Sequence, residues 1–373
     1  MGIVDNNTYM NELTSLVSGF RFEGTLVSAE ELHSGNINRT YHLICADGDR
    51  RREYILQQIN TYVFREPERM MENILQVTEH LRRAVLARGE DPARRVLTVI
   101  RPRGGGLLLK DAEGGCWRAY DYIADAAAYD AVDTSAFEEV GRGFGAFQRM
   151  LADYPAARLY ESIPGFHDTE KRFEQLDAAI REDRAGRSKG VQAEIGFLMD
   201  RREELCGVTR LIREGALPLR VTHNDTKSNN VMLDNVTGKA LCVIDLDTVM
   251  PGSALYDYGD AIRFGANTAA EDEPDTGKIS LDLDKTSAFT RGFIEETNGS
   301  LTEAELRRLP LGIRVMTGEL ITRFLADYLN GDPYFKISYP EHNLVRTRAQ
   351  IALLQDVERK DPQLQQMVEA LIH

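Results

Sequence analysis

Basic residues are in deficit in this 373-residue chain: 45 lysines and arginines stand against 59 aspartates and glutamates, a formal charge of −14. A surface of that sign has no general affinity for a phosphate backbone, which excludes nucleic-acid binding as a function class. Cysteine is scarce as well. The four present, Cys45, Cys116, Cys206 and Cys242, are widely spaced with no Cys-x-x-Cys pair, so they read as buried free thiols of a reducing compartment and not as a disulfide framework. No apolar run approaches the ~18 residues that a membrane-spanning helix needs. The opening Met-Gly-Ile-Val-Asp-Asn-Asn-Thr has no basic segment leading into an apolar one, and Asn6 stands where a myristoylation signal wants Ser or Thr. A cytoplasmic protein is expected, without nucleic-acid or membrane partners.

What the chain does have is length and one dense polar stretch. At 373 residues it exceeds the ~250 to 300 at which a single core stops growing, so two lobes are expected. The dense stretch runs from residue 221 to 247: a polar loop, Val-Thr-His-Asn-Asp-Thr-Lys-Ser-Asn-Asn, a short strand (Val231 to Leu233), a turn at Asn235 to Gly238, and a second strand (Ala240 to Ile244) ending on Asp245. Phosphoryl transfer from Mg-ATP needs a carboxylate facing the attacking hydroxyl, a neutral amide oxygen for metal, and a second carboxylate between metal and phosphate. Asp225, Asn230 and Asp245 match those requirements. Asp225 and Asn230 stand five apart, as in the His-x-Asp-x-x-x-x-Asn loop of kinases, and Asp245 follows at a strand end.

The stretch resembles the aminoglycoside phosphotransferase and choline kinase superfamily in His223 to Val231, Ile244-Asp245 and Tyr256-Asp257. More narrowly, His-Asn-Asp-Thr-Lys, Val-Ile-Asp-Leu-Asp-Thr-Val-Met-Pro-Gly and Gly-Asp-Ala-Ile-Arg-Phe-Gly-Ala-Asn-Thr-Ala-Ala-Glu-Asp-Glu are similar to bacterial N-acetylhexosamine 1-kinases over nearly the whole chain. The resemblance implies an α+β, protein-kinase-like two-lobed fold: a small antiparallel sheet with one main helix in a nucleotide-binding lobe, residues 1–123, and a mainly helical catalytic and substrate-binding lobe, residues 124–373. It implies ATP and Mg²⁺ as co-substrate and cofactor and a small sugar as the other partner; a monomer is the working expectation, on which the sequence itself is silent. Adenine would be read by backbone groups of Asp121 and Ile123, where the strand from Trp117 becomes a hinge. Sugar contacts would come from His33, Arg323 and Tyr334.

One departure stands on the third strand, Glu53 to Ile59. Kinases place a phosphate-binding lysine there and this chain has Gln57, which donates hydrogen bonds but carries no charge. Gln57 is expected to contact the nucleotide, as the same resemblance implies. Leu32 to Cys45 reads as strand, Gly35-containing loop and strand, a segment that could lie over phosphates or be an ordinary hairpin. The triple glycine 104–106 reads as the turn of a hairpin between Val96–Ile100 and Leu107–Lys110. Gly141-x-Gly143-x-Gly145 imitates a dinucleotide fingerprint, yet Phe137, Val140, Phe144, Phe147 and Leu151 keep helical period through it and no strand precedes it, so close helix packing is expected. Thr302-x-x-Glu305 is a capping box. On the helix Gly312 to Asn330, Arg323 either pairs with Asp327 at i+4 or serves the sugar. Rival readings are a kinase for choline, homoserine or an aminoglycoside, and a nucleotide-binding pseudokinase motivated by Gln57.

Overall fold

The computed structural model describes residues 6–32 and 37–372, with side chains from Leu13 onward. Two compact units result: Met1–Ala126 with Cys242–Asp247, and Ala127–Leu241 with Thr248–His373.

The first unit opens with α1 (Asn6–Gly19), followed by β1 (Thr25–Leu32), β2 (Arg39–Asp47), β3 (Arg50–Ile59), α2 (Pro67–Ala87), β4 (Val99–Ile100), β5 (Leu109–Lys110) and β6 (Cys116–Asp121). The sheet is antiparallel, in the order β1-β2-β3-β6-β4, with β5 also on β6. Alternation builds its inner face: Tyr41, Leu43 and Cys45 of β2 are buried and join Tyr54, Leu56, Trp117 and Ala119. Leu13, Val17 and Phe20, spaced at helical period, close α1 onto that cluster. Pro67 starts α2 at the position where a missing N–H costs nothing. The expected hairpin around the triple glycine does not form. Instead, β4 and β5 take successive stretches of one edge of β6 (Val99↔Tyr120, Leu109↔Trp117), because the longer strand satisfies both short ones.

After β7 (Ala126–Ala127) the chain is mainly helical: α3 (Thr134–Met150), α4 (Thr169–Glu182), α5 (Gln192–Met199), α6 (Arg202–Leu205) and α7 (Gly207–Arg213). Residues 192–213 thus form three short helices in succession. Then come β8 (Arg220–Thr222), β9 (Val231–Asp234), β10 (Ala240–Val243) and β11 (Met250–Gly252), followed by α8 (Ala254–Gly265), α9 (Leu283–Thr297), α10 (Glu303–Leu306), α11 (Leu309–Asn330), α12 (His342–Arg359) and α13 (Asp361–Ile372). The turn after β9 is closed by Gly238 N–H donating to Asp234 O at 2.8 Å. Ile321, Leu325 and Leu329 of α11 pack with Phe173 and Leu176 of α4 and Leu344 and Leu354 of α12. The capping box at Thr302 and Glu305 is present. All four cysteines are buried and unpaired, and no described helix is long and apolar enough to cross a membrane.

Glycine sets the helix spacing. A Cβ on Gly141 would stand 2.3 Å from the Phe289 carbonyl oxygen, and one on Gly145 would stand 2.5 Å from that of Phe293, so α3 touches α9 backbone to backbone. This is the close packing expected of the Gly-x-Gly-x-Gly run. Gly259 of α8 and Gly312 of α11 repeat the device, with 2.2 Å from the first to the Gly312 carbonyl oxygen. Gly141→Ala should therefore destabilise the protein by about 1–3 kcal/mol, the usual cost of overpacking, and lower its urea midpoint. An unchanged midpoint would contradict the packing.

Candidate active site

The polar loop after β8 is held from below by buried acceptors. Thr222 Oγ1 donates to the Met250 carbonyl at 3.0 Å, fixing the strand end. His223 is fully buried with its ring edge-on to Phe144 and Phe147, and its Nδ1 accepts the Asp225 N–H at 3.3 Å. Asn224 takes a left-handed φ of 65°, a conformation that Asn tolerates better than most residues, and its amide donates to the Thr248 carbonyl at 2.8 Å. Beneath them lies Asp257 of α8, 1 % exposed, whose carboxylate accepts the N–H groups of His223 (2.9 Å) and Asn224 (2.8 Å) and the Gln148 amide (2.8 Å). Burial pushes that carboxyl above the usual carboxylate range despite its three donors. Asp257 thus holds the loop, while the cap of α8 comes from Ser253. Asp260, one turn on, accepts the Thr226 N–H at 3.1 Å.

On this base Asp225 and Asn230 come together. The Asn230 amide nitrogen donates to the Asp225 carbonyl at 2.7 Å, which assigns the amide orientation and leaves Oδ1 as its acceptor atom. Lys227 Nζ lies 2.9 Å from Asp225 Oδ1. Burial opposes its charge, yet the Asp225 carboxylate, with Asp260 behind it, holds the ammonium above its ordinary range. Lys227 is a site residue that sequence reasoning passed over, although it stands inside the quoted His-Asn-Asp-Thr-Lys run.

A second cluster surrounds Arg323 of α11. Its guanidinium stands 5.3 Å from the Phe166 ring centroid and 5.5 Å from that of Phe335. Its ionic neighbour is Glu319, at 3.8 Å, and not Asp327. Among the described residues Arg323 makes no hydrogen bond. Asp327 accepts the N–H groups of Tyr334 (2.9 Å) and Phe335 (3.0 Å), pinning the aromatic segment beside Arg323. The Tyr334 ring is exposed and edge-on to Phe335 at 4.9 Å. Glu319 is buried against His167, whose Nδ1 faces the carboxylate at 3.1 Å while Nε2 faces the Asn224 carbonyl at 3.2 Å. His167 thus bridges the loop backbone and Glu319. Burial disfavours the Glu319 charge, but His167, Arg323 and Arg172 outweigh it and hold the carboxyl below its ordinary range. Arg172 is lowered by burial and by Arg323. His167, Arg172 and Glu319 had no signal in the sequence beyond residue type. His33 and the glycine loop at 33–36 lie outside the described residues.

In the first unit, Asp245 is exposed and takes a left-handed φ of 56° just after β10. Asp121 closes β6 and its N–H donates to the Thr98 carbonyl at 3.0 Å, while Ile123 is buried two residues on. Gln57 already spends both polar atoms: Oε1 accepts from Arg118 Nε at 2.9 Å and Nε2 donates to Thr40 Oγ1 at 3.0 Å. Among the described residues no three His, Cys, Asp or Glu side chains cluster as a metal cage. Mg²⁺ needs none, since it keeps waters and takes one or two side-chain oxygens with those of phosphates. Asn230 Oδ1 and the Asp245 carboxylate are hard oxygen donors of that kind.

The family model of the phosphotransferase enzyme family (APH) matches residues 28–291. The chain belongs to that family. Among solved structures it is similar to a microcompartment-associated aminopropanol kinase (16 % identity, TM-score 0.62, covering 95 % of this chain and 98 % of that one). It is also similar to a choline/ethanolamine kinase family protein from Mesorhizobium loti (16 %, 0.54, 97 % and 98 %) and to a spectinomycin phosphotransferase solved with ADP and spectinomycin (12 %, 0.54, 94 % and 98 %). At these identities the likeness establishes the fold, a protein-kinase-like α+β phosphotransferase with an antiparallel N-terminal sheet and a helical C-terminal region.

For this phosphotransferase the Asp257 contacts have a direct test. Asp257→Asn would turn an amide N–H toward one of the donors it now accepts, at about 1–3 kcal/mol for a buried unpaired donor. The variant should unfold at lower urea and turn over more slowly. A wild-type midpoint would show that the loop is held elsewhere.

Proposed function

We propose that the protein transfers the γ-phosphoryl group of ATP to the anomeric hydroxyl of an N-acetylhexosamine, N-acetylglucosamine or N-acetylgalactosamine, giving the sugar 1-phosphate. Asp225 accepts the hydroxyl proton and orients the oxygen, and that hydroxyl is the most acidic on a free hexose, which lessens the proton-transfer mismatch for a carboxylate base. Asn230 and Asp245 would hold Mg²⁺, which when bound neutralises charge on the phosphates. The nucleotide would lie against the backbone at Asp121 and Ile123 in a nucleotide-binding lobe comprising residues 1–123, with residues 124–373 as the catalytic lobe. The intact trio Asp225, Asn230 and Asp245 speaks for an active enzyme over a pseudokinase.

The acceptor class rests on one observation, the Arg323 guanidinium held between two rings without a hydrogen bond among the described residues. A group of that kind, with Arg172 and His167 around a single carboxylate, suits an acceptor rich in oxygen acceptors whose apolar face lies on Phe166, Tyr334 or Phe335. A cationic acceptor would meet repulsion of about 3 kcal/mol per like charge at 5 Å and an effective dielectric of 20, roughly a hundredfold in affinity. The second reading is a kinase of a small amino alcohol or an aminoglycoside, which the solved structures of the same fold support.

A panel of neutral sugars and amino alcohols, assayed for ATP-dependent phosphorylation, separates the two. With an N-acetylhexosamine the product should lose reducing-sugar reactivity and its phosphorus should couple to H1. A product that stays reducing would overturn the 1-kinase reading. Asp225→Asn should bind ATP normally while kcat falls ~10² to 10⁴-fold, and near-normal turnover would remove Asp225 from the mechanism. Arg323→Ala should raise the acceptor KM at least tenfold while the ATP KM stays within twofold. Equal shifts in both would exclude an acceptor role.

A further inference from the structure

The cation that kinases carry on the third strand is absent at Gln57, and the residue beside it on the next strand is an arginine. Gln57 of β3 pairs in register with Arg118 of β6. The Arg118 side chain is 1 % exposed and forks onto Asp247: Nη1 is paired with Oδ1, and Nη2 lies 2.9 Å from Oδ2. Its Nε donates to Gln57 Oε1 at 2.9 Å. Asp247 is fixed from a third side by the Asn38 amide, 2.7 Å from Oδ2, while Asn38 Oδ1 accepts the Asn60 N–H at 3.0 Å. Burial works against the guanidinium charge, yet Asp247, and more weakly Asp245, hold Arg118 above even its ordinary range.

This network bears on Asp245, two residues before Asp247. The left-handed φ of Asp245 is a conformation that persists in a non-glycine residue only where the surroundings enforce it, and the Leu246–Thr248 turn follows at once. We propose that Arg118 is a positioning residue for phosphoryl transfer: by clamping Asp247 it holds the Asp245 carboxylate in its strained backbone. The role rests on the phosphotransferase reading of Asp245. It also accounts for Gln57. An ammonium at that position would stand against the Arg118 guanidinium, whereas a neutral amide accepts from Arg118 on one side and donates to Thr40 on the other. Gln57 is therefore the neutral partner of Arg118.

The test is calorimetric binding of ADP to the full chain, with and without Mg²⁺, alongside steady-state kinetics. Arg118→Lys keeps the charge and removes the fork. It should leave metal-free ADP binding within twofold of wild type, weaken MgADP binding and kcat at least tenfold, and leave the acceptor KM within twofold. A folded Arg118→Lys variant that binds MgADP as wild type does, even with a lowered melting point, would reduce the contact to a structural ion pair and overturn the inference. Gln57→Lys decides the matter independently should Arg118→Lys fail to fold. It restores the residue type that kinases carry there, yet it should weaken MgADP binding at least tenfold by displacing Arg118 from Asp247, and tighter MgADP binding would overturn the inference. Wild-type protein whose ADP affinity ignores Mg²⁺ would instead bring down the metal role of Asp245 and the role of Arg118 with it.

Discussion

The polar loop after β8 depends on one buried carboxylate. Asp257 collects the N–H groups of His223 and Asn224 and the Gln148 amide, so a loop that would otherwise leave two donors unpaired in the interior is tied to α8 and α3 at once. Asn224 takes its left-handed turn at this anchored point, between the two N–H groups and Asp225. His167 then takes the Asn224 carbonyl, and through its second nitrogen the loop is joined to Glu319 and the Arg323 cluster. The hydrogen-bonded chain runs from the loop through His167 to Glu319, and Arg323 follows as its ion-pair neighbour.

The scaffold that carries this chain is spaced by glycine. Gly141 and Gly145 bring α3 against α9, and Gly259 and Gly312 bring α8 against α11, with carbonyl oxygens where side chains would otherwise be. Asp257 on α8 and Gln148 on α3 therefore reach the same loop from two helices whose separations tolerate no added methyl group.

Charge is distributed between the units according to solvent. In the first unit the buried cation is Arg118, fully bonded to Asp247 and Gln57. In the second, Arg263 is equally buried and satisfied by Asp260 and Glu271, whereas Arg323 stays at an aromatic edge without a hydrogen bond among the described residues. A buried guanidinium is tolerated only with its partners in place, and Arg323, less buried than the other two, has an ion pair with Glu319 and two aromatic rings instead.

The order of residue types along the chain was enough to single out Asp225, Asn230 and Asp245 as a candidate trio, and to give the strand–turn–strand between Asn230 and Asp245, the helical reading of Gly141 to Gly145 and the Thr302 capping box, because each is a local pattern with its own period or spacing; the fold class came from the family resemblance. Only the tertiary structure decided the rest. The segment Cys242–Asp247 joins the first unit from far along the chain, so no reading by position could connect Asp247 with Arg118, 129 residues away. It also decided that Arg323 answers to Glu319 and not to Asp327, since Asp327 is used by the backbone of Tyr334 and Phe335, a contact that i+4 spacing cannot foresee. Spacing determines which groups share a turn of helix or a strand face, but a carboxylate takes the donors that the packed chain brings within about 3 Å, and those come from distant residues as readily as from neighbours.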